Sequence, residues 1–269
     1  MAETLLLIGC GKMGTALLAG WIAQGLAPTD AYVVEADTTS HARIGALGVH
    51  LVAAPDALPK GFAPATIVLA IKPQSMDSVV PAYAGLAANA LTISIAAGKS
   101  IAYYESLLGG GAAIVRVMPN TPAAVGRGMS VCVANRNANT EHRARAVRLM
   151  EAVGDVAWID DESLMDAVTA LSGSGPAYVF LLVECMAKAG EAVGLAPDLA
   201  MRLARMTIIG SGELMHQSDD EAAVLRKNVT SPGGTTEAAL KVLMASPGLE
   251  SLMMDAIAAA ARRGRELAG

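Results

Sequence analysis

Short apolar runs separated by polar, helix-spaced stretches set the rhythm of the first 160 positions. Leu5-Leu6-Leu7-Ile8, Tyr32-Val33-Val34, Val49-His50-Leu51-Val52, Thr66 through Ile71, Leu91 through Ile95 and Ala113 through Val117 are nearly unbroken apolar segments. Runs of this kind suit strands buried on both faces of a parallel sheet. Helical spacing appears between them, from Lys12 to Gly25, Thr38 to Leu47, after Pro73, Ser100 to Leu108 and Thr140 to Val153. Two further strands, Ser130 to Ala134 and Val156 to Ile159, flank the last of these helices. The alternation predicts an α/β fold with a doubly wound sheet.

From Asp161 onward the period changes and every long segment reads as helix. Leu171-Ser172-Gly173-Ser174-Gly175-Pro176-Ala177-Tyr178 predicts a small-residue break within an otherwise helical region. Pro197 opens a helix in which Leu199, Leu203, Met206 and Leu214 recur near helical spacing. Gly210 and Gly212 inside it cost about 1 kcal/mol each relative to Ala, which a close helix–helix contact would offset. Ala238 to Met244 and Gly248 to Leu267 complete a helical half whose Met-rich stripes suit a core or a subunit interface. The sequence therefore divides into residues 1–160 and residues 161–269.

Chemistry enters at the first turn. Gly9, Gly11 and Gly14 form G-x-G-x-x-G directly after a strand and at the head of a helix. In that setting the first glycine allows the tight turn and the second lets a pyrophosphate approach the backbone. The third lets helix and strand pack closely, with the helix N-terminus facing the phosphates. Cys10, Lys12 and Met13 belong to the same loop. Glu35 ends the second strand about 20 residues further on, the spacing of an acid that grips a ribose hydroxyl.

Other strand ends carry polar or small residues at the edge where open α/β sheets bind ligands. Lys72 follows the fourth strand, with Pro73 at the first helical position; a solvated surface charge is the other use for this lysine. Ala96-Ala97-Gly98 follows the fifth strand, small enough for a nicotinamide to lie against the backbone. Pro119-Asn120-Thr121-Pro122 follows the sixth, as a stiffened loop or an ordinary turn. In the helical half, Ser231-Pro232-Gly233-Gly234-Thr235-Thr236-Glu237 sits at a helix start. It fits an N–H nest for a carboxylate-sized anion, and equally N-capping by Thr235 or Thr236.

Composition narrows the classes. Hydrophobic residues make up 53% of the 269 positions but aromatics only 3%, so Ala, Leu, Val and Met build the core. A formal net charge of −5 argues against a nucleic-acid surface. Cys10, Cys132 and Cys185 are far apart, with neither zinc spacing nor a disulfide framework, which points to a reducing compartment. His41, His50, His142 and His216 form no metal-spaced pair, and no metal is expected. The uncharged run Ser78 to Gly98 is broken by Pro81, Gly85 and Asn89, so no membrane span is expected there. The chain enters its first strand at once, leaving no room for a signal peptide, and a cytoplasmic location is expected. With no hydrolytic triad, a bound cofactor is left to carry the chemistry.

Taken together, these segments resemble the pyrroline-5-carboxylate reductases over nearly the whole chain. The resemblance rests on Ile8 to Gly14, Ala70-Ile71-Lys72-Pro73, Ser94-Ile95-Ala96-Ala97-Gly98, Met118-Pro119-Asn120-Thr121-Pro122, Leu171 to Tyr178 and Thr230 to Thr236. It implies a Rossmann-type domain followed by an all-helical substrate-binding and dimerisation domain, in a homodimer or larger homo-oligomer. It further implies hydride transfer from NADPH or NADH to the C=N carbon of 1-pyrroline-5-carboxylate, giving L-proline. By the resemblance, Gly9 to Gly14, Ala70, Lys72, Pro73, Ala96, Ala97, Gly98 and Asn120 line the cofactor. Ser231, Gly233, Gly234, Thr235 and Thr236 hold the carboxylate of the cyclic imine, and the Thr236 hydroxyl is the candidate catalytic group, aimed at the ring nitrogen. A basic cyclic imine arrives as an iminium and needs orientation more than a proton donor.

Glu35 departs from the family's usual small polar residue. A carboxylate there repels a 2′-phosphate and tilts the expectation to NADH, while Arg43 nearby offers NADPH a partner. Two other classes share the N-terminal pattern. A β-hydroxyacid dehydrogenase-like oxidoreductase needs a catalytic lysine early in the first long helix of the second domain, where the chain offers only Lys188, late in the helix. A non-catalytic dinucleotide-binding protein needs none.

Overall fold

The structure is a computed structural model that describes residues 4–268. The residues before Thr4, on which the expectation about a signal peptide rests, lie outside the described residues. Two compact units form, Met1–Gly173 with Ala261–Gly269, and Ser174–Ala260.

The first unit is built on one eight-stranded sheet of order β3-β2-β1-β4-β5-β6-β7-β8. Its strands are β1 (Leu5–Ile8), β2 (Ala31–Val34), β3 (His50–Val52), β4 (Thr66–Leu69), β5 (Leu91–Ser94), β6 (Ala113–Met118), β7 (Gly128–Ala134) and β8 (Gly154–Trp158). The first six are parallel, in registers such as Leu5 opposite Ala31 and Leu5 opposite Thr66. β7 runs antiparallel to β6 and parallel to β8.

Strand alternation splits the apolar runs between two cores. Leu5, Leu7, Val33, Val68 and Ile93 face one side, where they meet Leu17, Leu18 and Trp21 of α1 (Lys12–Ala23). Leu6, Ile8, Val34, Ile67 and Leu69 face the other. There they meet α3 (Met76–Val79), α4 (Ala84–Ala87) and α5 (Ile101–Leu108) through Met76, Ala87, Ile101 and Tyr104. Every side chain of β1 and of β4 is therefore buried, which is why these runs carry few polar residues. α2 (His41–Gly45) lies between β2 and β3, and α6 (Thr140–Glu151) packs beside α1, where Trp21 Nε1 donates to the Leu149 carbonyl at 2.7 Å. Asn139 and His142 form a capping box at the head of α6, so this histidine is a cap.

The run from Ser78 to Gly98 folds as short helices and β5, not as a continuous span. A different stretch, Glu162–Ala192, is helical and, by length and composition, apolar enough to cross a membrane, with 11% of its most apolar window buried. It comprises α7 (Met165–Val168), a π-helical turn at Thr169–Gly173 and α8 (Gly175–Ala192). The break expected around Ser172 takes the form of a widened helical turn, an interruption within the helical region.

The second unit continues with α9 (Pro197–Gln217), α10 (Ala222–Asn228), α11 (Thr235–Leu243) and α12 (Leu249–Ala268), the last ending in the first unit. α8 and α9 approach at Gly190, where an added Cβ would lie 3.2 Å from that of Ala200. Gly210 and Gly212 do not serve this purpose within the chain, since an added Cβ at either meets no atom within 4 Å. The buried apolar side chains of this unit are three alanines, Ala187, Ala200 and Ala204, among the described residues. Phe180, Leu181, Met206, Ile209 and Leu214 are all more than half exposed. The Met-rich stripe is not a core: Met206, Met215, Met244 and Met254 are exposed as well.

Candidate active site

The three motif glycines have separate physical duties. Gly9 has φ +84, and a Cβ there would lie 2.6 Å from Ile71 Cγ2 and 2.8 Å from the Ala70 carbonyl oxygen. At Gly14 a Cβ would come within 2.6 Å of the Gly9 carbonyl oxygen. These two glycines let strand, turn and helix close on one another. Gly11 differs: its φ of −66 suits any residue, and an added Cβ meets nothing within 4 Å. The space over Gly11 is a cradle that a side chain would fill, as the approach of a pyrophosphate requires.

That space belongs to a cleft of about 620 Å³ at the carboxyl ends of β1, β2 and β4. Of the residues singled out in the sequence, Gly9, Cys10, Gly11, Glu35, Ala70 and Lys72 line it. Lys12, Met13 and Gly14 continue into α1 and Pro73 into the turn after β4, beside the cleft but outside its lining. Ala96, Ala97 and Gly98 follow β5, and Asn120 follows β6, on the same sheet edge and also outside that lining.

The Glu35 carboxylate is fixed by two amides. Cys10 N–H donates to one oxygen at 2.6 Å and Asp37 N–H to the other at 2.9 Å. Asp37, also in the cleft, accepts from the Thr39 hydroxyl at 2.7 Å and the Thr39 amide at 3.0 Å, which hold its carboxyl below the usual carboxylate range. Arg43 is turned to the glycine loop, donating to Thr15 Oγ1 at 2.7 Å and the Cys10 carbonyl at 3.4 Å. Burial pushes the Cys10 thiol up, against the smaller opposing effects of Thr15 and Arg43, so it is a neutral wall of the loop and not a nucleophile.

The loop after β5 is held at both ends. Ala96 N–H donates to Ser94 Oγ at 3.3 Å, and that hydroxyl donates to the Tyr104 oxygen at 2.5 Å. Burial pushes the Tyr104 phenol up to about 12. At the far end Glu162 Oε1 accepts from Ile101 N–H and from the buried Arg116, each at 2.8 Å. The face of Gly98 is approached by the Leu267 backbone at the end of α12, 3.5 Å from where a Cβ would be. The Asn120 side chain is committed to the protein: its Oδ1 accepts from Met129 N–H at 2.8 Å, and its Nδ2 donates to Ser172 Oγ at 3.3 Å and the Ser172 carbonyl at 3.4 Å.

In the second unit, Ser231 to Gly234 make a tight turn, with Gly233 at φ +68 and Gly234 N–H donating to the Ser231 carbonyl at 3.0 Å. The N-cap of α11 is Gly234, so Thr235 and Thr236 lie inside the first turn and cap nothing. Their amides and that of Glu237 have no hydrogen-bond partner among the described residues, and neither has the half-buried Thr236 hydroxyl. Gly233 N–H is engaged as well and meets Glu237 Oε2 at 2.5 Å; Lys241 sits 3.3 Å from the other oxygen. A carboxylate thus already occupies one donor of this nest. Arg226, Lys227 and Lys241 line the adjoining groove with positive charge.

Three contributors escaped the sequence reading. Asp37 had a legible signal, since Asp-Thr-Thr before a helix is an Asx-turn pattern. Arg116 and Tyr83, each set in a long apolar stretch, gave no such signal. Lys188 is exposed late in α8. No group of three or more His, Cys, Asp or Glu residues able to hold a metal ion occurs among the described residues.

Two family models match the chain. The model for pyrroline-5-carboxylate reductase dimerisation covers residues 162–267, and that for NADP oxidoreductase, coenzyme F420-dependent, covers residues 4–98. The chain is 41% identical to a pyrroline-5-carboxylate reductase of Pseudomonas aeruginosa, over 97% of this chain and 95% of that one. Among solved structures, a pyrroline-5-carboxylate reductase from Coxiella burnetii superposes with a TM-score of 0.92 at 34% identity, covering 100% of both chains. The Plasmodium falciparum pyrroline carboxylate reductase with NADP bound superposes with a TM-score of 0.82 at 30% identity, covering 99% of this chain and 98% of that one.

Proposed function

The chain belongs to the pyrroline-5-carboxylate reductase family and reduces 1-pyrroline-5-carboxylate to L-proline in proline biosynthesis, and from that premise we propose how its own residues divide the work. It is an NAD(P)H-dependent oxidoreductase with an N-terminal Rossmann-type domain and a C-terminal dimerisation domain of that family. The functional boundary in our proposal lies between residues 160 and 161, where strand gives way to helix.

The observation that carries the cofactor assignment is the open cradle at Gly11, set between two glycines that have no room for a side chain. Gly9 to Gly14 take the pyrophosphate on the helix N-terminus, and Glu35 takes the adenosine ribose. Ala70, Lys72 and Pro73 form the opposite wall, and Ala96-Ala97-Gly98 take the nicotinamide end, with Asn120 bracing the neighbouring strand end. The bound cofactor supplies a hydride to the C=N carbon; the chain supplies position. Ser231, Gly233, Gly234, Thr235 and Thr236 hold the imine's carboxylate on the free amides of α11, a use supported by their lack of partners. The Thr236 hydroxyl aims the ring nitrogen. Glu237, now on Gly233 N–H, occupies that donor until substrate takes its place.

NADH is used at least as well as NADPH in this proposal. Glu35 is anchored at the ribose position by two amides, Asp37 adds a second carboxylate beside it, and Arg43 is spent on Thr15 and Cys10. Pyrroline-5-carboxylate-dependent oxidation of each cofactor, measured as kcat/KM for the wild type and Glu35→Ser, tests both the activity and the preference. The variant should shift toward NADPH. A wild type that prefers NADPH by tenfold or more, about 1.4 kcal/mol, overturns the assignment.

The assembly is an obligate homodimer, or the unit of a larger ring, built from residues after Asp161 and working in the cytoplasm without membrane or nucleic-acid partners. A unit whose buried apolar side chains are three alanines has its core elsewhere, on a second copy. Gly210 and Gly212, open within one chain, suit the approach of a partner helix. Sedimentation at micromolar concentration should give a dimer or a multiple of it; a stable, active monomer is the contrary result.

A further inference from the structure

A tyrosine in the lining of the cleft carries a hydroxyl that the described residues do not satisfy. Tyr83, one turn beyond α3, is 1% exposed and sits in the second core with Ile8, Val34, Met76 and Val80. Its hydroxyl is buried and has no hydrogen-bond partner among the described residues. Burial pushes its phenol up to about 12, so the group is neutral at any physiological pH. Buried hydroxyls are seldom left unpaired, because the desolvation is then uncompensated. Tyr83 also lines the cleft, beside Ile8, Val34, Ile71 and Val79, on the side reached from β2 and β4.

These neighbours define the chemistry. Ile8, Val34, Ile71 and Val79 give the cleft apolar lining suited to a flat heteroaromatic ring, and Glu35, Asp37, Arg43 and Lys72 line the same cleft. A neutral phenol beside such apolar side chains can donate to a ring nitrogen and accept from an exocyclic amine, both of which adenine offers. A strongly hydrated phosphate or ribose gains nothing from the apolar side chains around it.

We propose that the Tyr83 hydroxyl is the chain's own hydrogen-bonding contact for the adenine base of the dinucleotide. The inference rests on the cleft being the dinucleotide site. It adds a base-recognising side chain to the glycine loop, carboxylates and basic side chains of the same cleft. Tyr83 is a binding residue and takes no part in hydride transfer.

The test compares the ligand-free wild type with Tyr83→Phe, using ADP-ribose, which carries the adenine, and nicotinamide mononucleotide, which lacks it. ADP-ribose binding is read by calorimetry and the mononucleotide by ligand-observed NMR. ADP-ribose should bind the variant about 3- to 10-fold more weakly, as the loss of one hydrogen bond predicts. The mononucleotide should bind both proteins alike. The melting temperature of the ligand-free variant should be unchanged or higher, because removing an unpaired hydroxyl removes a penalty. Equal ADP-ribose affinity in both proteins overturns the proposal, as does an equal loss for both ligands, which marks general damage to the cleft. A variant that melts several degrees lower shows that the hydroxyl is already satisfied without ligand, and also overturns it. A wild type that fails to bind ADP-ribose sinks the cleft assignment itself, a result separate from these.

Discussion

Gly11→Asp abolishes dinucleotide binding and leaves the ligand-free chain at least as stable as before. The two halves of this expectation come from different features of one position. Gly11 is the N-cap of α1, with extended backbone angles and no side-chain capping bond. Asp is among the best N-cap residues and replaces Gly there at a gain of a few tenths of a kcal/mol. Its carboxylate also faces the positive end of the helix dipole. No atom obstructs the new side chain. The same carboxylate fills the space that a pyrophosphate needs and opposes its charge, so affinity for NADH should fall at least about 100-fold, or roughly 2.7 kcal/mol. Fluorescence titration with NADH and thermal melting of the free protein check the two halves. Gly14→Ala makes the contrast: its Cβ meets the Gly9 carbonyl oxygen, so the melting temperature falls first. NADH affinity within threefold of wild type in Gly11→Asp would mean that the pyrophosphate lies elsewhere.

The residues that could be placed from sequence were those whose duty is local. Leu6 and Leu7 belong to opposite cores, yet both are apolar because the sheet is covered on both faces, and the run itself announces that. Gly9, Gly11 and Gly14 were legible because a strand precedes them and a helix follows. The reversal at β7 was not foreseen, although its cause lies in the chain. The stretch from Pro119 to Arg127, between β6 and β7, is shorter than the dozen or more residues of a parallel crossover, so β7 has to return antiparallel. Long-range partners were beyond reach. Asn120 looked like a group free to meet a ligand, but its amide is consumed by Met129 and Ser172, the latter 52 positions away. Nothing in the apolar stretch around Tyr83 marks its hydroxyl as one without a partner among the described residues. Gly210 and Gly212 pointed to a close helix contact that the described residues of one chain do not contain.

Thr236→Ala lowers kcat/KM for the imine by one to three orders of magnitude, or roughly 1.4–4 kcal/mol. The competing explanation for a threonine at this position is helix capping, and the structure separates the two. Gly234 is the N-cap, and Thr236 lies in the first turn with a hydroxyl that has no hydrogen-bond partner among the described residues. Removing that hydroxyl therefore costs no capping bond. Alanine is the better helix former by up to about 0.7 kcal/mol, so the melting temperature should hold or rise slightly. An activity loss without a stability loss is the signature of a group that meets substrate. Affinity for NADH should change little, since every residue that lines the cofactor cleft belongs to the first unit. Thr236→Ser, which keeps the hydroxyl, should recover most of the activity. Gly234→Val should do more harm than Thr236→Ala, because a Cβ there already lies 3.1 Å from the Ser231 carbonyl oxygen and the rest of the side chain would cover the free amides. Steady-state kinetics at subsaturating imine, run beside thermal melts, decide the matter. Full turnover in Thr236→Ala with a melting point several degrees lower would return this hydroxyl to a structural role and leave the free amides of α11 as the loop's contribution.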